Sequence, residues 1–285
     1  MASIMAVNQS DFFRNADNQK IFVRGWVPGC DPIAVLYIVH GVAEHSGRYE
    51  NLAVFLNENE IAVYSQDLVG HGKSDGDRVH IEDVQIYVRD VIQHIEIVKA
   101  KYSSDIPFFI MGHSMGGLVT TLFTIQRPDL IKGMVLSAPG IAYAAGILMR
   151  GFVRAVALVA PQLIIYNSDI NDLSRDQDEI CAYLEDPLTW KGGVKARWAV
   201  AIFDAQLQVA EGISTIKLPF ITLHGTDDTM VDISSSQFLM DNAQSEDKTF
   251  ECFQDGRHRL FSDLEHDRFK QVVIDWLKKH ITSPQ

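Results

Sequence analysis

Pro107-Phe-Phe-Ile-Met-Gly-His-Ser-Met-Gly-Gly-Leu-Val-Thr-Thr-Leu-Phe-Thr-Ile-Gln-Arg127 reads as strand, tight turn and helix in immediate succession. The run from Phe108 to Met111 is short, apolar and bounded by Pro107 and Gly112, which suits a strand buried in a parallel sheet. Gly112-His-Ser-Met-Gly116 fits G-x-S-x-G, in which flanking glycines let the chain turn sharply enough to hold the central hydroxyl out from a strained backbone. Ser114 is therefore the candidate nucleophile. The helix that follows aims its unpaired N–H groups at the place where an oxyanion would form, with Met115 N–H as one donor.

Outward from this stretch, strands and amphipathic helices alternate. Residues 34–40 and 61–67 are β-branched apolar runs expected as central strands, and 133–139 is another. Residues 49–57 and 82–101 read as helices, the second carrying Val84, Tyr87, Val88, Val91, Ile95 and Val98 on one face. Alternation over 21–27 suggests antiparallel edge strands at the start of the sheet. After 140 the pattern breaks, leaving only helical stretches such as 146–159 and 194–209, until strands return at 218–224 and 248–253 with helices at 233–242 and 264–279. The fold class is α/β, a doubly wound, mostly parallel sheet, with residues 140–216 as an inserted helical cap in one domain spanning 1–285.

Composition narrows the chemistry. With 285 residues and 47% hydrophobic content the chain can bury one large core, and its net charge of −12 argues against an unassisted nucleic-acid surface. Cys30, Cys181 and Cys252 are odd in number, widely spaced and free of any C-x-x-C, so neither a disulfide framework nor a zinc site is suggested and a reducing compartment is expected. Residues 1–13 lack a basic start followed by a long apolar core, so no signal peptide is expected and the cytoplasm is the expected location.

A serine hydroxyl needs a general base, usually His oriented by a carboxylate, and chains built around this elbow supply the acid and then the His after the Ser. The loop after 218–224 holds Gly225-Thr-Asp-Asp228, and the loop after 248–253 holds Gln254-Asp-Gly-Arg-His258. His258 is the expected base, since His266 and His280 fall in or beyond the last helix. Asp228 is preferred as acid over Asp227, which can serve the turn itself. The second oxyanion donor should come from the loop after 34–40, where Val42 N–H is the candidate, while His40 and His71 read as buried residues bracing loops. No metal or organic cofactor is expected, because the triad and backbone donors suffice.

His40-Gly-Val-Ala-Glu-His-Ser-Gly-Arg-Tyr49, Asp67-Leu-Val-Gly-His-Gly-Lys-Ser74, Gly112-His-Ser-Met-Gly-Gly117 and Gly225-Thr-Asp-Asp228 together resemble the monoacylglycerol lipases of the α/β-hydrolase superfamily. The similarity runs from about Gln19 to Leu277 and is least in the cap. It implies an eight-stranded sheet, ester hydrolysis of monoacylglycerols through an acyl-enzyme, a triad of Ser114, Asp228 and His258, and oxyanion donors at Val42 and Met115. It also implies a glycerol-binding end formed by Glu44, Arg48, His113 and Tyr183. The residues leave a second role open for Glu44 and Arg48, four apart in the oxyanion loop, as a loop-bracing ion pair. Lysophospholipases and short-ester carboxylesterases use the same triad and would differ in head-group pocket and cap. Epoxide hydrolases and dehalogenases carry Asp at the elbow, and a non-catalytic binding scaffold of this fold would typically lose the Ser, the His or the oxyanion glycine.

The most apolar run in the chain is 141–160, within which Arg150 and Arg154 share one helical face. It is expected as an interfacial lid around 146–159 that contacts a membrane peripherally; the competing expectation is a cap helix packed on the core. Two mid-segment arginines and Pro161 argue against a transmembrane span.

Overall fold

The computed structural model describes residues 7–142 and 146–282. Residues 1–6, part of the segment read for a leader, 143–145 within the apolar run, and 283–285 lie outside the described residues. In chain order the strands are β1 (Val7–Arg14), β2 (Lys20–Val27), β3 (Ala34–Val39), β4 (Ile61–Gln66), β5 (Phe108–His113), β6 (Gly133–Ser137), β7 (Ile164–Tyr166), β8 (Val194–Lys195), β9 (Phe220–Gly225) and β10 (Lys248–Phe253). The helices are α1 (Glu50–Glu58), α2 (Gln85–Lys99), α3 (Met115–Gln126), α4 (Ile147–Val159), α5 (Gln177–Glu185), α6 (Ala196–Gly212), α7 (Ser234–Asn242) and α8 (His266–Thr282).

Eight strands form one sheet in the order β1-β2-β4-β3-β5-β6-β9-β10. β1 and β2 pair antiparallel, as does β2 with β4, and every later pair is parallel. Parallel strands require cover on both faces, which is why β3, β4, β5, β6 and β9 are buried at every position. Successive side chains then serve opposite faces. Val35, Tyr37 and Ile110 meet α2 and α3 on one side, whereas Leu36, Ile38, Phe109 and Met111 meet α1 and α8 on the other. On α2 the apolar stripe read from the sequence is buried along its whole length, each side chain contributing about 1.5–3 kcal/mol.

Between β6 and β9 the chain leaves the sheet. Here α4, α5 and α6 are joined by a two-stranded antiparallel sheet of β7 and β8. Neither this sheet nor α5 was expected from the sequence, because strands of three and two residues are too short to show periodicity. The loops after β3, β5, β9 and β10 all leave the carboxyl edge of neighbouring parallel strands, the edge at which open α/β sheets build their sites.

Candidate active site

β5 ends at His113 and α3 begins at Met115, so Ser114 alone turns the chain, at φ 54 and ψ −118. A non-glycine residue there costs about 1–3 kcal/mol and persists only where its surroundings impose it. They do: Ser114 N–H donates to Ser137 O over 3.0 Å, and Ser114 O accepts from Gly117 N–H at 2.9 Å and Gly140 N–H at 3.0 Å. At Gly116 a Cβ would come within 2.1 Å of Val39 O, so the helix can approach β3 closely enough only with glycine at that position.

β9 and β10 deliver the next two groups. His258 Nδ1–H donates to Asp228 Oδ2 over 2.7 Å, which leaves Nε2 as the ring nitrogen able to take a proton. Asp228 Oδ1 accepts from the backbone N–H groups of Met230 and Val231, both at 2.9 Å, while His224 Nε2 stands 3.3 Å from Oδ2. The Asp228 side chain is fully enclosed. Burial alone would raise its carboxyl, but His258 and the hydrogen bonds from His224 and His258 outweigh that and hold it far below the usual carboxylate range. Asp227, by contrast, is exposed, and its N–H closes the turn onto Gly256 O at 3.1 Å.

The loop after β3 is fastened from below. Gly41 N–H donates to Glu44 Oε1 at 2.6 Å, and Tyr49 OH donates to the same oxygen at 2.6 Å. A Cβ on Gly41 would stand 3.1 Å from His113 Cδ2 and 3.4 Å from Ser114 Cβ, so this loop lies directly on the elbow. His40 fixes the neighbouring loop, Nδ1–H donating to Gly41 O at 2.7 Å and Nε2 accepting from Leu68 N–H at 2.9 Å. His71, buried and tied to Val69 O at 3.0 Å, is likewise a loop brace.

Ser114, Met115, Val42, Tyr183 and His258 line one cavity of about 650 Å³, walled mainly by apolar side chains such as Met149, Val153, Trp198 and Phe203. Asp228 stands behind His258. Glu44, Arg48 and His113 are not among the lining residues. Glu44 is buried beneath the loop, and His113 packs its ring on His258 (4.7 Å between centroids) and Phe261 (5.1 Å) while its Nδ1 lies 3.1 Å from Ser137 O. Burial holds the His113 imidazole down at about 3, so it stays neutral. Tyr183 reaches the cavity, but its hydroxyl donates to Ala43 O at 3.0 Å.

The expected Glu44–Arg48 pair is replaced by a different set of partners. Glu44 Oε2 pairs with Arg259 at 3.0 Å, and Arg48 reaches out instead to Glu179 on α5 and to Asp186, 3.7 Å away. His45 Nε2 joins Asp186 at 2.8 Å. The geometric reason is that Arg48 lies in a short helical turn pointing away from the loop interior, toward α5. Sequence reasoning missed Arg259, Glu179, Asp186 and His224. The available signal was an arginine directly after the expected base.

With the geometry in hand, comparisons with known proteins give consistent results. Residues 31–265 match the family described as serine aminopeptidase, S33. The chain is 35% identical over 253 residues to monoglyceride lipase of Mus musculus, covering 88% of this chain and 83% of that protein. It is 28% identical to monoacylglycerol lipase of Mycolicibacterium smegmatis, covering 94% and 96% of the two chains. Among solved structures, that of Paleococcus ferrophilus monoacylglycerol lipase superposes with a TM-score of 0.79 at 29% identity, covering 96% of this chain and 99% of that one.

Proposed function

The chain belongs to the monoglyceride lipases of the serine aminopeptidase S33 family, and on that basis we infer that Ser114, His258 and Asp228 are its triad and Val42 and Met115 its oxyanion donors. It is a serine ester hydrolase of the α/β-hydrolase fold, cleaving monoacylglycerols to glycerol and free fatty acid through an acyl-enzyme. The observation that carries the residue assignment is the 2.7 Å His258–Asp228 hydrogen bond, with His258 opening into the same apolar cavity as the strained Ser114.

Ser114 Oγ attacks the ester carbonyl as His258 Nε2 takes its proton. Asp228 keeps the other ring nitrogen protonated, so Nε2 starts as an acceptor, and it stabilises the imidazolium that forms. The backbone N–H groups of Val42 and Met115 receive the oxyanion, which needs them fixed before reaction rather than recruited during it. His258 then protonates the glycerol oxygen as it leaves, and a water, deprotonated by the same nitrogen, releases the fatty acid. Tyr183 lines the cavity with its hydroxyl bonded to the oxyanion loop at Ala43 O, while Glu44 and Arg48 support that loop and His113 packs behind His258 rather than touching glycerol.

Residues 140–216 act as a cap over the cavity, and α4 is its lid. Ile147, Leu148, Phe152, Leu158 and Val159 are each more than 60% exposed, an apolar band that suits peripheral docking on a bilayer holding the substrate. None of the described helices is long and apolar enough to cross a membrane. The three free cysteines suit a cytoplasmic enzyme. The test is labelling with a fluorophosphonate probe alongside monoacylglycerol hydrolysis. One label per chain, lost together with turnover in Ser114→Ala, supports the assignment, and persistent labelling in that variant overturns it.

A further inference from the structure

One guanidinium stands where three parts of the site meet. Arg259 follows His258 in the chain and is 1% exposed, a depth that arginine almost never reaches unless paired. One of its nitrogens lies 3.0 Å from Glu44 Oε2, and another donates to Glu179 Oε1 on α5 over 3.1 Å. The guanidinium also stacks over Tyr183 and Phe261, 5.5 and 5.0 Å from their ring centroids. Arg48, from the oxyanion loop, ends on the same Glu179 oxygen. The backbone adds a parallel tie, Arg259 N–H donating to Leu173 O of the cap at 2.8 Å. A carboxylate as deep as Glu44 remains ionised only beside a matched cation. Without that cation, any pH above the raised carboxyl value leaves an unpaired buried charge that draws the loop toward water, and Gly41, which Glu44 holds, precedes the oxyanion donor Val42.

We propose that Arg259 is a positioning residue for the hydrolysis: paired with Glu44 and Glu179 at once, it holds the oxyanion loop, the His258 loop and cap helix α5 in a single arrangement. This rests on the assignment of Ser114 and Val42 above. The groups facing Glu44 are Arg259, His113, His40 and Tyr49, with Glu179 and Arg48 beyond Arg259. Burial alone would raise the Glu44 carboxyl, yet the Arg259 charge first, and then the Tyr49 hydroxyl, hold it below the usual carboxylate range. Burial keeps both His113 and His40 below the ordinary histidine range, so Arg259 is the standing cation of the set.

The experiment compares full-length wild type, Arg259→Met, Glu44→Gln and the double variant, in hydrolysis of dispersed monoolein and in the rate of fluorophosphonate labelling, from pH 5 to 9. Arg259→Met should lower kcat on the order of 100-fold with little change in KM, as when one partner of a buried pair is removed. Without Arg259 the Glu44 carboxyl rises above its unfolded value, so the damage is absent at low pH and grows as pH rises through the new folded value. The deficit should therefore shrink toward pH 5. In the double variant the amide oxygen that replaces the Glu44 carboxylate still accepts from Gly41 and Tyr49 but carries no charge, so at least about tenfold of the loss should return and its pH dependence should follow wild type. A wild-type rate in Arg259→Met, or a double variant no better than Arg259→Met with a deficit flat in pH, overturns the proposal. If Arg259→Met does not fold, the double variant decides: folded and active supports the proposal, and unfolded overturns it. Failure of wild type itself to label at Ser114 would sink the triad assignment instead.

Discussion

Replacing Asp228 with Asn tests the site at its most determined point. Asp228 accepts from His258 at 2.7 Å on one oxygen and from two backbone N–H groups at 2.9 Å on the other. Those N–H groups oblige the Asn carbonyl to take the place of Oδ1, so its NH₂ must face His258. A donor there turns Nδ1 into an acceptor and moves the ring proton to Nε2, which can then no longer take the proton from Ser114. The expected loss is about 10⁴-fold in kcat, or about 5.5 kcal/mol at 1.36 kcal/mol per tenfold. A second readout follows from linkage. Despite burial, His258 and the hydrogen bonds hold the Asp228 carboxyl below its unfolded value, so its contribution to stability is complete above about pH 4 and drains away as pH falls toward the folded value. Thermal melts should show wild type losing Tm in acid more steeply than Asp228→Asn, which has nothing to titrate there. The assay is monoolein turnover with parallel melts from pH 3 to 8, and Asp227→Asn serves as control because that side chain is exposed. Retention of activity within tenfold in Asp228→Asn, or equal damage from Asp227→Asn, would refute the reasoning.

Two further variants separate substrate contact from support. Tyr183→Phe removes the bond to Ala43 O, a net loss of roughly 0.5–1.5 kcal/mol, so hydrolysis of monoolein and of p-nitrophenyl acetate should fall by a similar factor of about 2–10; a deficit confined to monoolein would show that the hydroxyl instead serves glycerol. Leu148→Asp combined with Phe152→Asp charges two exposed positions of α4, at 87% and 65% exposure, so liposome flotation and turnover of bilayer-presented substrate should drop while a soluble ester is cleaved as before; unchanged flotation would exclude this helix as the docking element.

The strands around the site were legible in the sequence because they are buried on both faces and read as unbroken apolar runs, as in Ala34–Val39 and Phe108–His113. The elbow was legible for a sharper reason, since Gly116 has contacts that no other residue could accept. The pairing of Glu44 was not legible. Its spacing from Arg48 suggested a local pair, whereas its partner is Arg259, far along the chain, and nothing in local periodicity encodes an ion pair between distant loops. The same applies to Arg48 and Glu179. Among the residues assigned to glycerol, family resemblance located Glu44, Arg48 and His113 near the site, but only the folded geometry separates a residue behind the wall from one that lines it.

The two ends of the cap are held very differently. α5 is anchored by Glu179 to two arginines and by Tyr183 to Ala43 O, and Asp186 just after it to His45, so lifting it would strip charges bare and slacken the loop that carries Val42. α4 rests along α6 by Val153 and Ala157, with the Arg154–Asp204 pair at the solvent edge. The roof of this enzyme is therefore fastened unevenly: the α5 side is tied by charge to the loops beneath it, whereas the α4 side rests on its neighbour helix by apolar packing, so a substitution that loosens α4 leaves the α5 ties in place.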